Sequence, residues 1–553
     1  MHTRDGVVLW PAEVAQGYRD LGYWDGILLG GRFDDAARIR PASVALVDGP
    51  VRMTYGELAR RVRATTASLT NLGFKPDDRV VIQLPGCWQF VVLTLACIRA
   101  GVVPVMALTA HREHELSHLV DLSGAVAIVM PDRVKTVDHQ RIGEELAAQR
   151  TSLRWVIVSG EARPGNVALS QLIDAEDDVD VVVPPAIGPD DVALLLLSGG
   201  TTGLPKLIAR THNDYSYCVR QMALVGGFHP DMSYLVCLPP GHNFPLTGIL
   251  GTLFTGGKLV MLASPEPSKV FPTLHREGVT HTAVVPAVAQ RWLDAYEADS
   301  QPPTSLQVLQ VGGARLADEI GFRVRPVLGA RLQQVFGMAE GLVCMTRLND
   351  TDDVVCTTQG SPVSPGDELM VVDECGSAVD DGIPGQLLTR GPYTPRGYFC
   401  APQQNARSFT QDGWYQTGDV VVRRPDGNLV VLGRDKDLIN RGGEKISAEE
   451  VEGLLYRLGS VVSAAAVAMP DPELGERLCV YVTLKPGHEL DLEDIRNHME
   501  GIGVATFKQP EKLVVIDQLP TTKVGKIDKK ALRNDIAARL AQHQPARLGG
   551  QHQ

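Results

Sequence analysis

Ser198-Gly199-Gly200-Thr201-Thr202-Gly203-Leu204-Pro205-Lys206 follows directly on the apolar run Ala193-Leu194-Leu195-Leu196-Leu197. The spacing predicts a buried strand that opens into a loop of glycines, hydroxyl residues and one lysine. Glycines permit positive φ and close approach of the backbone to an anion. Backbone amides and hydroxyls then donate to phosphate oxygens, and Lys206 adds positive charge. No Gly-Lys-Ser/Thr closes the segment at Walker spacing. Taken alone, such a stretch is also what an ordinary glycine-rich turn after a strand looks like.

Working outward toward the N-terminus, residues 79–84, 102–106, 126–130 and 155–158 are short apolar runs rich in Val and Ile. Helical spacing separates them. This alternation predicts an α/β protein with layered sheets and helices and mainly parallel strands. Residues 176–185 begin acidic and end in two prolines, which reads as a surface loop. There is no internal repeat, and the only low-complexity segment is the polar tail after Arg547.

Toward the C-terminus, the strand-like run 429–432 leads into Gly433-Arg434-Asp435-Lys436-Asp437. On its residues alone this segment reads equally as a hinge or as a surface turn. Ser447 and Glu450 have the spacing of a capping box, and Val451, Leu454 and Leu455 form a helical stripe. Leu532, Ile536 and Leu540 behind Asp528 mark a final amphipathic helix. A boundary here gives a large multi-subdomain domain over residues 1–435 and a small α+β domain over 436–553.

The whole chain of 553 residues exceeds what one core usually supports. Its 44% hydrophobic content is that of a soluble globular protein. The net charge of −12 argues against a general nucleic-acid binder. The cysteines, 9 in all, are scattered without a Cys-x-x-Cys pair, as expected of reduced thiols in a cytoplasmic protein and not of a metal site or disulfide framework. The N-terminus lacks a signal-peptide pattern, and no apolar run is long enough to span a bilayer.

Four further segments complete the pattern: Gly312-Gly313-Ala314 after the run 306–311, Gln334-Val335-Phe336-Gly337-Met338-Ala339-Glu340-Gly341, Tyr415-Gln416-Thr417-Gly418-Asp419, and Pro520-Thr521-Thr522-Lys523-Val524-Gly525-Lys526-Ile527-Asp528. Singly they read as tight turns, a helix-terminal charge or a solvated lysine. Together, and in this order over almost the whole chain, they resemble the adenylate-forming enzymes, the superfamily of acyl-CoA synthetases, luciferases and peptide-synthetase adenylation domains.

That resemblance implies ATP and Mg²⁺ as cofactors and assigns roles residue by residue. Ser198, Gly199, Gly200, Thr201, Thr202, Gly203 and Lys206 would bind phosphate. Gly313, Gln334, Val335, Phe336, Gly337 and Ala339 would pack on the nucleotide, and Glu340 would hold the metal. Asp419 would bind the ribose hydroxyls with Arg434 beside it. Lys526 would be the catalytic lysine, reaching both the substrate carboxylate and the α-phosphate, with Lys523 and Lys529 as solvated neighbours. Lys436 would be the hinge of a mobile C-terminal domain, and Gly442 and Gly443 would line the pantetheine path.

Gly22-Tyr23-Trp24, Pro205 to Tyr215, Gly241-His242-Asn243-Phe244-Pro245-Leu246 and Asn440-Arg441-Gly442-Gly443-Glu444-Lys445 resemble the aryl-acid branch, the 2,3-dihydroxybenzoate- and salicylate-AMP ligases of nonribosomal peptide and siderophore synthesis. By that likeness Asn243 bonds the ortho-hydroxyl of the acid and His242 gates its carboxylate. Phe244, Gly312, Gly313, Val335 and Val343 line the ring pocket. One position departs: five residues after the asparagine, Gly248 replaces the usual Ser or Cys/Ala-type residue. A missing side chain predicts a larger pocket and a bulkier hydroxy- or N-heteroaryl acid. The acceptor implied is the phosphopantetheine thiol of a separate aryl carrier protein. The rivals are an aryl-CoA ligase, a P-loop ATPase or kinase, and a non-catalytic relative.

Overall fold

The protein is described from a computed structural model over residues 6–174, 187–198, 205–299, 305–434, 439–441, 444–471, 474–502, 504, 506–522 and 527–543. The expected loop 176–185, the glycine and threonine residues of the expected phosphate loop, the expected hinge residue Lys436, Gly442, Gly443, Lys523, Lys526 and the tail after Arg547 lie outside those residues.

Two large sheets carry the first part of the chain. The seven-stranded sheet runs Leu207–Thr211, Val192–Leu197, Val103–Met106, Arg79–Ile82, Ala127–Pro131, Trp155–Ser159, Val167–Ala168. The four strands expected between 79 and 158 are all in it and pair in parallel. They read as unbroken apolar runs because both faces of a parallel sheet are covered. The nine-stranded sheet runs Ser361–Pro362, Val343–Met345, Arg331–Gly337, Val308–Gly312, His281–Val284, Ser233–Val236, Lys258–Met261, Val44–Asp48, Val51–Thr54.

The main core lies between the two sheets. Helices Tyr55–Leu72, Trp88–Ala100, His212–Val225 and Asn243–Thr255 fill it together with side chains from both sheets. Helix Trp88–Ala100 is accordingly buried along most of its length, as a helix that is apolar all round must be. Outer helices close the far faces: Pro267–Glu277, Pro286–Asp299 and Asp318–Leu328 on one sheet, Glu113–Ser123 and His139–Ala148 on the other. A four-stranded antiparallel sheet, Glu368–Val372, Gly385–Arg390, Tyr415–Arg423 and Leu429–Arg434, follows.

The last part is α+β. Strands Val461–Asp471 and Gly475–Leu484 form a long antiparallel ladder, with Lys512–Val515 parallel to the second. Alternation splits the ladder between two cores. Ala464 and Ala466 face helices Ala448–Tyr456 and Leu492–Gly501, while Ala465, Val467 and Met469 face Leu532 and Ile536 of helix Lys529–His543. The large first part and the smaller C-terminal one correspond to the expected architecture.

One local expectation needs correcting. Ser447 accepts from the Glu450 amide as an N-cap should, but the reciprocal half of the capping box is not used. Glu450 instead takes Lys508 Nζ at 2.7 Å and 2.9 Å, and the Ser447 hydroxyl donates to the Leu432 carbonyl. A charged partner within reach outcompetes the neutral backbone amide for the carboxylate. The cap thereby tethers helix Ala448–Tyr456 to strand Leu429–Arg434.

Candidate active site

The phosphate loop is anchored where its ends are described. Strand Val192–Leu197 pairs antiparallel with Leu207–Thr211, bringing Leu197 opposite Leu207. The Ser198 amide donates to the Lys206 carbonyl at 2.9 Å, and the Lys206 amide to Ser198 Oγ at 3.1 Å. Ser198 and Lys206, the described ends of the segment, are thus clamped to each other.

Lys206 Nζ sits 4.6 Å from the centre of the Tyr398 ring. The Tyr398 hydroxyl donates to Glu340 Oε1 at 2.9 Å and lies 3.1 Å from the Tyr415 hydroxyl. Burial, with the Glu340 carboxylate second, holds both phenols above the usual tyrosine range, so they remain protonated donors. Glu340, Lys206 and the YQTGD segment are thus joined through Tyr398, a residue the sequence reading did not single out.

A second unforeseen group fixes the turn before Glu340. Arg210 is fully buried in its strand and pairs with Asp214 at 2.6 Å. Its remaining nitrogens donate to the Ala339 carbonyl at 3.2 Å and the Tyr393 carbonyl at 3.1 Å. A signal existed: an arginine inside the buried run 207–211 needs a partner, and an aspartate follows four residues later.

Asp419 is 4% exposed. It stands opposite Arg434 in the ladder, and Arg434 Nε meets Asp419 Oδ1 at 2.6 Å. Arg434 also donates to the Thr417 carbonyl at 3.1 Å. The nucleotide-side residues do not all present side chains. Gln334 is consumed by the Val355 and Cys356 carbonyls at 2.8 Å and 3.1 Å and by Gln359 at 3.2 Å. Its backbone amide and carbonyl are engaged as well, with Thr346 Oγ1 at 3.0 Å and the Thr346 amide at 3.1 Å.

The expected aryl pocket gathers at the start of helix Asn243–Thr255, with His242 at its N-cap position. Asn243 Oδ1 accepts from the fully buried Tyr215 hydroxyl at 2.8 Å. A Cβ on Gly312 would lie 2.8 Å from the Val335 carbonyl and 3.0 Å from the Phe244 ring. Gly313 has φ +87°, a left-handed conformation that glycine favours. Val343 is buried on the strand beside Val335. The steric reading of Gly248 changes: the space beside it is not open, because the phenol of Tyr234 occupies it.

The two ends of the Lys526 segment are pinned together. Thr521 bridges Ile527, and the Asp528 amide donates to the Pro520 carbonyl at 2.8 Å. Lys529, read as solvated, is instead paired with Glu452 at 2.8 Å and 18% exposed. Glu449 lies over Gly433, 3.8 Å from where a Cβ there would be. Burial pushes its carboxyl up to about 7, against the pull of Lys529 and Arg315 and with the push of Glu452 and Asp419. Among the described residues, no helix is long and apolar enough to cross a membrane.

Lys206 and Glu340 thus meet on Tyr398, and Tyr398 meets the strand that carries Asp419. Residues 33–399 match the AMP-binding enzyme family and residues 450–526 match the AMP-binding enzyme C-terminal domain; the chain belongs to the AMP-binding enzymes. Within them it groups with the aryl acid-activating ligases. It is 53% identical to a salicylyl-CoA synthase / salicylate adenylyltransferase of a Streptomyces species, covering 97% of this chain and 98% of that one. It is 52% identical to a 2-hydroxy-7-methoxy-5-methyl-1-naphthoate–CoA ligase of Streptomyces carzinostaticus, covering 96% of each. Identity is 45% to a salicyl-AMP ligase / salicyl-S-ArCP synthetase of Mycobacterium tuberculosis, covering 95% and 94%. The apo structure of Mycobacterium smegmatis MbtA superposes with a TM-score of 0.74 at 44% identity, covering 96% of this chain and 98% of that one.

Proposed function

We propose that this protein uses ATP to convert a 2-hydroxyaryl carboxylic acid to its aryl adenylate and passes the aryl group to the phosphopantetheine thiol of a separate carrier protein. The observation that carries the reading is the fixed amide of Asn243. Because its Oδ1 accepts from Tyr215, its NH₂ is left to donate, one residue before Phe244, which packs against Gly312. A flat ring with an oxygen ortho to its carboxylate suits that donor.

In the first half-reaction a carboxylate oxygen attacks the α-phosphorus, the bond to the β-phosphate oxygen breaks, and pyrophosphate leaves. Two anions must approach, so cationic and hydrogen-bonding groups around the α-phosphate lower the barrier. Lys206 and the loop donors serve the phosphates. Lys526, from the C-terminal domain, serves the forming bond, and Asp419 accepts from the ribose hydroxyls. His242 stands beside the carboxylate end. Glu340 fits an oxygen-preferring cation: it is 8% exposed and only Oε1 is engaged by Tyr398. Mg²⁺ bound there would neutralise phosphate charge. Tyr398 holds the carboxylate in place with or without the ion.

In the second half-reaction the thiol adds to the acyl carbon and AMP leaves. A boundary at 435/436, with Lys436 as the pivot and Gly442 and Gly443 along the thiol path, lets the C-terminal domain serve both steps. The tether from Ser447 to Leu432 supports a short pivot between them. Coenzyme A is the second acceptor to consider, since the relatives include proteins named for CoA ligation. The test is product analysis by mass spectrometry with ATP, salicylate and either a pantetheinylated aryl carrier protein or CoA. Salicyl-AMP together with faster loading of the carrier is expected. Salicyl-AMP with faster CoA ester formation moves the acceptor to CoA, and no salicyl-AMP or other aryl adenylate overturns the reading.

A further inference from the structure

Tyr234 is in the core, 1% exposed, on strand Ser233–Val236. Its hydroxyl is buried and has no hydrogen-bond partner among the described residues. A buried unsatisfied hydroxyl is costly and calls for an explanation. The hydroxyl is aimed at Gly248: a Cβ there would stand 2.5 Å from the Tyr234 oxygen and 2.7 Å from Cζ. Any other residue at 248 would displace the phenol, so glycine and tyrosine are a matched pair.

This pair lies on the sheet face that carries Gly312, beneath the helix that carries Asn243. Tyr234 aligns with His281 and His281 with Val308. Two and four residues on from Val308 are Gln310 and Gly312, so Tyr234 faces the same side of the sheet as Gly312 and its neighbour Val335. Helix Asn243–Thr255 covers that side, with Phe244 against Gly312 and Gly248 against Tyr234. Asn243 and Gly248 are five positions apart on the helix, a rise of about 7.5 Å.

Resting on the aryl-acid reading above, we propose that Tyr234 is a specificity-determining residue whose hydroxyl bonds a second polar atom of the acid, remote from the carboxylate and its ortho-hydroxyl. The helical rise from Asn243 to Gly248 suits a polar atom on the far edge of an extended or bicyclic ring. The orphan hydroxyl is then satisfied by the substrate, and an acid lacking the polar atom leaves it unpaired.

The test is acid-dependent ATP–pyrophosphate exchange with matched acids carrying hydroxyl or methyl at each remaining ring position of salicylate and of 2-hydroxy-1-naphthoate. Wild-type enzyme is expected to prefer hydroxyl over methyl at one remote position by about tenfold or more in kcat/KM, since a site built to bond a polar group rejects its apolar isostere. Tyr234→Phe should bring that ratio to about one through KM, leave salicylate itself within about threefold, and not lower Tm, because the lost hydroxyl had no partner. Gly248→Ala, which pushes the phenol aside, should lose the same preference. An unchanged ratio in Tyr234→Phe, an equal loss for all acids, or a wild type indifferent at every remote position overturns this inference while leaving aryl adenylation standing. Absence of exchange with every aryl acid in the wild type overturns both.

Discussion

The hydroxyl of Tyr398 donates to Glu340 Oε1 at 2.9 Å. Through this bond the residue proposed to hold the cation is oriented by a ring whose face also carries Lys206. Groups that orient a metal-binding carboxylate typically cost 10–100-fold when removed. Tyr398→Phe should therefore reduce the exchange rate by about tenfold and raise the Mg²⁺ concentration needed for half-maximal rate. A variant with wild-type Mg²⁺ dependence would show that the bond does no more than pack the core.

Arg210 is predicted to be structural first and functional second. It is buried, paired with Asp214, and holds the Ala339 carbonyl next to Glu340. Removing one partner of a buried pair costs about 3–5 kcal/mol. Arg210→Met should lower Tm strongly, and adding Asp214→Asn should recover part of the loss. Equal Tm in the single and double variants would mean the two side chains are not coupled.

Glu449 gives a pH signature. Its folded carboxyl titrates at about 7, raised from 4.5 by burial and opposed by Lys529 and Arg315. A carboxyl with a raised folded value contributes its stability fully below the unfolded value and loses it as pH rises through the folded one. Between about pH 4.5 and pH 7 the wild type should thus lose stability that Glu449→Gln keeps. Thermal melts at pH 5 and pH 8 read this directly: the fall in Tm should be smaller in the variant, and an identical fall would remove Glu449 from the account.

Lys526 and Lys436 should separate the two half-reactions. Lys526→Ala is expected to lose adenylation by about 100- to 1000-fold, as for a lost charge stabiliser, yet still transfer from supplied aryl-AMP. Lys436→Pro, which fixes φ at the pivot, is expected to keep exchange and lose thiol transfer. Equal slowing of both steps in either variant contradicts a two-pose domain.

The sequence shows those features that depend on neighbours along the chain. The runs at 79–84, 102–106, 126–130 and 155–158 were legible as strands because a parallel sheet covered on both faces requires continuous apolar residues. The final helix was legible from Leu532, Ile536 and Leu540. Partners far apart in the chain were not. Nothing near Glu340 announces Tyr398, and nothing near Gly248 announces Tyr234, since those contacts form only when a strand and a helix or two subdomains meet. Glu450 shows the same limit at short range: its spacing from Ser447 fits a capping box, but Lys508 takes the carboxylate.

The most direct measurement is ATP–pyrophosphate exchange by the wild-type protein with salicylate, benzoate, acetate and no acid. Exchange that depends on the acid, with salicylate ahead of benzoate because only salicylate meets Asn243, is the predicted result. Exchange that is absent with salicylate and other 2-hydroxyaryl acids, or equal with acetate, would contradict the account.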